Sequence, residues 1–101
     1  MSTARLHELG PGRWRLEGDL TLDTVAPLAK EGARLAAAGV DCEIDLDGID
    51  QSSSAAVALL LEWQGQVRRA GGRLLLRNAP DALARIAEFS NVDQLLGLQR
   101  A

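Results

Sequence analysis

The sequence holds one cysteine and one histidine among its 101 residues. A single thiol cannot close an internal disulfide, and a single imidazole with no other ligand-type residues at metal spacing argues against a metal centre. Cys42 lies in the alternating stretch VDCEIDL, where a small buried or half-buried residue is expected, and no adjacent His, Lys or second Cys would activate it. His7, in RLHELG, reads as a solvent-facing strand residue. Basic clusters are also scarce. The formal charge is −3 and the longest run of cations is the pair Arg68-Arg69, so the footprint that phosphate-backbone binding requires is missing and nucleic acid is not an expected partner. The longest apolar stretch, Ala55 to Leu61, falls far short of the roughly 20 residues that span a bilayer. The N-terminal MSTARLHELG has no signal-peptide apolar region, so a cytoplasmic chain without direct membrane insertion is expected.

What is present is ordinary for a folded domain: 47% apolar and 25% charged residues in a length that suits one core. We expect a single domain over residues 1–101. ARLHEL and RWRLEG flank Gly10-Pro11-Gly12 and predict an antiparallel hairpin with Trp14 and Leu16 on one face. Val25, Leu28, Gly32, Leu35 and Ala36 recur at helical spacing, predicting a helix from about 24 to 38 that starts at Asp23 or Thr24 and stops at Gly39. Val40, Cys42, Ile44 and Leu46 alternate with acidic residues as in a half-buried strand. A second helix, about 54 to 70, ends at Gly71-Gly72 and leads into RLLLRN, a short buried strand. Strand, helix and strand at this spacing form a right-handed parallel βαβ unit. NAPDALARIAEFSN predicts another helix with Leu83, Ile86, Ala87 and Ser90 on one face, and VDQLLGL a final short helix or turn. The order is ββαβαβα, an α/β fold with a mixed four-stranded sheet and helices mainly on one face.

The stretch DLDGIDQSSSAAVALLLEW runs from Asp45 to Trp63 and joins an acidic segment, three serines and a nearly all-apolar run. With the strand ending near Leu46, Asp47 to Ser53 form a loop and the serines open the helix. One hydroxyl suffices to cap the free N–H groups there, which leaves the others available for a second role. A phosphate on one of them would meet the positive helix end, yet Asp45, Asp47 and Asp50 precede it without a nearby cation. Serine catalysis lacks a base and a GxSxG elbow, and no phosphate-cradling glycine loop is present. Ala56, Val57, Leu59, Leu60, Leu61 and Trp63 cover more than one face of the helix, which calls for a second apolar contact beyond the sheet: a neighbouring helix or another protein.

These residues resemble the STAS domain family, most closely the branch that serves as a subunit of the Mla phospholipid ABC transporters, which maintain outer-membrane lipid asymmetry. LEGDLTLDTVAPL is similar to the family's second strand and first helix, the Asp45–Trp63 stretch to its motif region, and GGRLLLRNAPDALARIAEFSNVDQLL to its closing elements. Asp45 and Gly48 match a strand-end D-L-x-G pattern. Ser54 stands where the family has Ser or Thr, Ser53 where it usually has Asp, and Ala55 and Ala56 where Ser or Gly is frequent. The resemblance implies a STAS fold without catalytic activity or cofactor. It implies a cytoplasmic accessory subunit, peripheral at the inner membrane, that binds the ATPase subunit of an ABC transporter in complex with a membrane permease. The implied contact surface is Asp50, Gln51, Ser52, Ser53, Ser54 and Ala55, with Ser54 the key contact or phosphorylation site. The alternative is an anti-sigma factor antagonist regulated by serine phosphorylation. A nucleotide-binding STAS module would have only the bare helix N-terminus for phosphate.

Overall fold

The computed structural model describes residues 3–101. Strands β1 (Ala4–Gly10) and β2 (Arg13–Asp19) form the expected antiparallel hairpin, with Trp14 and Leu16 both buried. Two short helices follow, α1 (Leu22–Leu28) and α2 (Gly32–Ala36), joined by a 3-10 turn over Ala29–Glu31. Strand β3 (Cys42–Gln51) then leads into helix α3 (Ser54–Arg69), strand β4 (Leu74–Ala79) and helix α4 (Asp81–Phe89). Helix α5 (Asp93–Leu96) and strand β5 (Leu98–Arg100) close the chain. The sheet order is β1-β2-β3-β4-β5, with only the β1/β2 pair antiparallel.

The sheet therefore has five strands rather than four. Gly97, at φ 64° and ψ 38°, ends α5 in the left-handed conformation that glycine adopts most readily and turns the chain alongside β4. Three residues, Leu-Gln-Arg, are too few to display an alternation in the sequence.

The first helix also differs from expectation. It begins at Leu22, two residues early, because the Thr21 amide donates to Thr24 Oγ1 at 2.8 Å and Thr24 Oγ1 donates to the Asp19 carbonyl at 2.6 Å. Pro27 thus falls inside α1, where it withholds one helical N–H, and the segment tightens into a 3-10 turn before α2 resumes.

Strand β3 begins at Cys42, leaving Val40 exposed, and it runs five residues past Leu46. Up to Asp45 it pairs with both neighbours; beyond that only β2 accompanies it, through Glu17↔Gly48, Gly18↔Ile49 and Asp19↔Gln51. The register slips between Arg15 and Glu17, so Ile49 rather than Gly48 takes the next inward position. A Cβ on Gly48 would come within 2.7 Å of Glu17 Cβ and 2.9 Å of Arg15 Nη2, which is why glycine occupies the bulge.

Inward residues of the sheet, including Leu16, Ile44, Leu46, Leu74 and Leu76, pack with Leu60, Trp63 and Leu83 from the helices in one core. Trp63 is fully buried, so the helix's second apolar contact is largely intramolecular. Gln64, a polar residue in the later turns of α3, is also buried. Its side-chain amide accepts from Leu74 N at 2.9 Å and donates to Leu74 O at 2.8 Å, standing in for a strand partner where α3 meets the start of β4.

Outward residues form a charged row instead. His7, Arg15, Asp45 and Arg77 face one another across β1 to β4 in register. His7 pairs with Glu17 at 2.7 Å and Arg15 with Asp45 at 3.2 Å, while Arg77 pairs with Glu43.

Candidate functional site

The serine junction lies at the carboxyl end of β3, and the structure gives its hydroxyls separate tasks. Ser53 is the N-cap: its Oγ accepts from the Ala55 amide at 3.2 Å and donates to the Leu20 carbonyl at 3.0 Å, tying the start of α3 to the β2–α1 connection. Ser54, the first helical residue, is exposed, and its hydroxyl makes no hydrogen bond among the described residues. Ser52 is half-buried between the strand end and the cap.

The six residues expected to form one surface are brought together only in part. Asp50 and Gln51 end β3 rather than forming a loop, so the true connection is Ser52-Ser53 alone. Asp50 lines a polar depression of about 280 Å³ with Arg5, Glu17 and Gly48. Ser54 and Ala55 border grooves on the helical side.

Two grooves flank the first turns of α3. One, of about 290 Å³, runs between α1 and α3 and is lined by Leu22, Val25, Ala26, Ala55, Ala58 and Glu62. The other, of about 380 Å³, lies toward α4 and is lined by Ser54, Arg85, Ile86, Phe89 and Ser90. Each has a large apolar wall in solvent, Leu22 at 75% exposure and Phe89 at 93%. Sequence reasoning missed both walls. The available signal was Phe89, an aromatic residue off the Leu83–Ala84–Ala87 face that α4 turns inward.

The electrostatics differ from those inferred from the string of aspartates. The Asp47 backbone N–H, with help from Asn78 and Arg15, holds the Asp45 carboxyl below the usual carboxylate range, and that cluster belongs to the sheet's charged row. His7, with Arg15 assisting, likewise lowers Glu17. The expectation that no cation stands near the serines is also corrected: Arg85 shares the groove with Ser54. Cys42 is buried at the other end of β3, where burial and then Asp41 raise its thiol pKa. The larger depression there, about 440 Å³, includes Trp14 and Arg34, and the Arg34 guanidinium lies 5.0 Å from the Trp14 ring centroid.

No His, Cys, Asp or Glu grouping suited to a metal ion occurs among the described residues, and no described helix is long and apolar enough to cross a membrane. The serine hydroxyls have no general base as hydrogen-bond partner among the described residues.

A mixed sheet with helices mainly on one face, and a short polar loop opening the central helix after β3, has the layer architecture of a STAS domain. The fold matches the solved structure of the anti-sigma factor antagonist SpoIIAA in its unphosphorylated form, with a TM-score of 0.73 and 14% identity, covering 97% of this chain and 87% of that one. Residues 7–98 match the family described as "Mlab, STAS domain", and the chain belongs to this MlaB-like STAS family. None of the curated proteins matches the sequence.

Proposed function

We propose that this STAS domain is a non-catalytic accessory subunit of a phospholipid-transporting ABC system, cytoplasmic and held at the inner membrane by binding the ATPase subunit of its permease complex. The observation that carries the reading is the division of labour at the junction. Ser53 fulfils the structural requirement of the helix, which leaves the exposed Ser54 hydroxyl between two apolar grooves. Small residues there, Ser54, Ala55 and Ala58, admit close approach of a partner backbone, and Leu22 and Phe89 supply apolar area on either side. The match to the MlaB-like family favours a transporter partner.

A second reading, an anti-sigma factor antagonist switched by phosphorylation of Ser54, draws on the same exposed hydroxyl and on Arg85, which would offset part of an added phosphate charge of roughly −1.5 to −2. Purification of the tagged protein from its native membranes and cytosol in mild detergent, with mass spectrometry of its partners and of Ser52 to Ser54, separates the two. Recovery of an ABC ATPase with its permease supports the first. Recovery of a soluble serine kinase, with phosphate on one of these serines, overturns it in favour of the second. On the transporter reading, Ser54→Asp weakens ATPase binding and Ser54→Ala is milder. Unchanged binding by the Asp variant would remove Ser54 from the interface.

A further inference from the structure

We propose that the depression at the amino end of β3 is a binding site for a small organic amine, which seats an apolar body against Trp14, Leu35 and Val40 and offers its ammonium group to the carboxylates of Glu8 and Asp41. The serine junction lies at the opposite end of the same strand, so occupancy of this site is independent of the transporter-subunit reading.

Three observations carry it. The first is size and lining. At about 440 Å³ the depression is larger than either groove beside α3, and it falls within the range of about 300–1,000 Å³ usual for small-molecule sites. Most of its wall is apolar, from Pro11 in the hairpin turn, Trp14 on β2, Leu35 on α2, and Val40 and Cys42 at the entry to β3. The second is that the wall is tied together without a ligand. The Glu43 amide donates to the Gly12 carbonyl at 2.8 Å, and the Cys42 thiol donates to the Leu35 carbonyl at 3.8 Å, so turn, strand and helix hold one another in place. The third concerns charge. Arg34 lies on the Trp14 ring, yet its Nη1 donates to Glu31 at 2.6 Å, so the cation of the wall is already matched by a carboxylate. Glu8 and Asp41 line the same depression, are exposed, and form no ion pair among the described residues. Two unmatched carboxylates over an apolar floor favour an ammonium group with an apolar body and repel its carboxylate counterpart.

The test is an amide NMR titration of the whole chain at neutral pH with 2-phenylethylamine and, separately, with 3-phenylpropionate, which has a similar apolar body and the opposite charge. The amine is expected to give saturable shifts at the Trp14 indole N–H and at the Gly12, Leu35 and Asp41 amides, with a dissociation constant about tenfold or more below that of the acid. In the double variant Glu8→Gln, Asp41→Asn that preference is expected to disappear. No saturable shift at millimolar amine, or shifts confined to residues around Ser54, overturns the site. Equal affinity for amine and acid in the wild-type chain overturns the ligand chemistry, and a full preference for the amine in the double variant overturns the roles of Glu8 and Asp41. Should the double variant fail to give a folded spectrum, salt decides: amine binding to the wild-type chain is expected to weaken as ionic strength rises, and affinity that does not change with salt overturns the pairing with the two carboxylates.

Discussion

The two faces of this domain treat their side chains in opposite ways. On the open side of the sheet, His7, Glu17, Arg15, Asp45, Glu43 and Arg77 are paired across four strands. Around the first turns of α3, by contrast, Leu22, Phe89, Arg85 and the Ser54 hydroxyl point into solvent without partners among the described residues. A self-paired surface has little to gain from a second molecule, because association would break ionic contacts that already exist. An unpaired surface gains apolar burial and charge pairing at once. The contrast is the ground for proposing the helical end as the face that meets another protein.

Variants can break this comparison at graded cost. The largest stability loss is expected where the two layers are joined. Gln64→Leu leaves both backbone groups of Leu74 buried without their side-chain partner and is expected to lower unfolding free energy by about 2–4 kcal/mol in denaturant titration. The double variant Leu22→Asp, Phe89→Asp is expected to weaken ATPase binding about a hundredfold or more while changing stability by less than about 0.5 kcal/mol. Its first substitution places a carboxylate in the first turn of α1, where the helix dipole favours it.

Within the serine junction the contrast sharpens. Ser53→Ala is expected to cost about 1–2 kcal/mol of stability through the lost cap and the unsatisfied Leu20 carbonyl, whereas Ser54→Ala is expected to fall within about 0.5 kcal/mol. Equal losses in the two would contradict the division of labour.

The smallest effect is expected from Arg15→Gln on the open face, and it depends on pH. Glu17 and Asp45 have lowered pKa values in the folded state, so the unfolded chain binds more protons in acid. Their contribution is complete above the ordinary carboxylate values of 4.5 and 3.8 and is lost as pH falls through the lowered folded values. Removing Arg15 moves both groups back toward those values. The variant should be slightly less stable near neutrality and should lose less stability than the wild type on acidification. Unfolding midpoints measured between neutral pH and strong acid test the sign. At neutral pH the difference should be small, since these pairs are largely solvated.

Much of this arrangement is legible in the residue string. Gly10-Pro11-Gly12 announces the hairpin, and the spacing from Ile44 through α3 to Leu74 announces the parallel βαβ unit. The Ser-to-apolar transition announces the start of α3. What escapes has a physical cause in each instance. The bulge at Gly48 shifts the strand's phase by one, so alternation seems to end at Leu46 although pairing with β2 continues to Gln51. Gln64 looks like a surface residue because its partner is a backbone segment that only the fold brings near. Of the candidate site, Ser52 to Ala55 were recognisable from the junction and from family likeness. The α1 and α4 walls were not, because Leu22 and Phe89 are distant in sequence and flank the same helix only after folding.

The ends of the sheet carry a different consequence. Strand β5 contributes three residues, and Arg100 at its end is drawn toward α4 by Asp81 and Glu88. An open strand is a template on which a foreign chain can grow, but three residues provide too few free amides and carbonyls to hold one. Strand addition is thereby disfavoured at the β5 border, whereas the opposite border, β1, is a strand of seven residues.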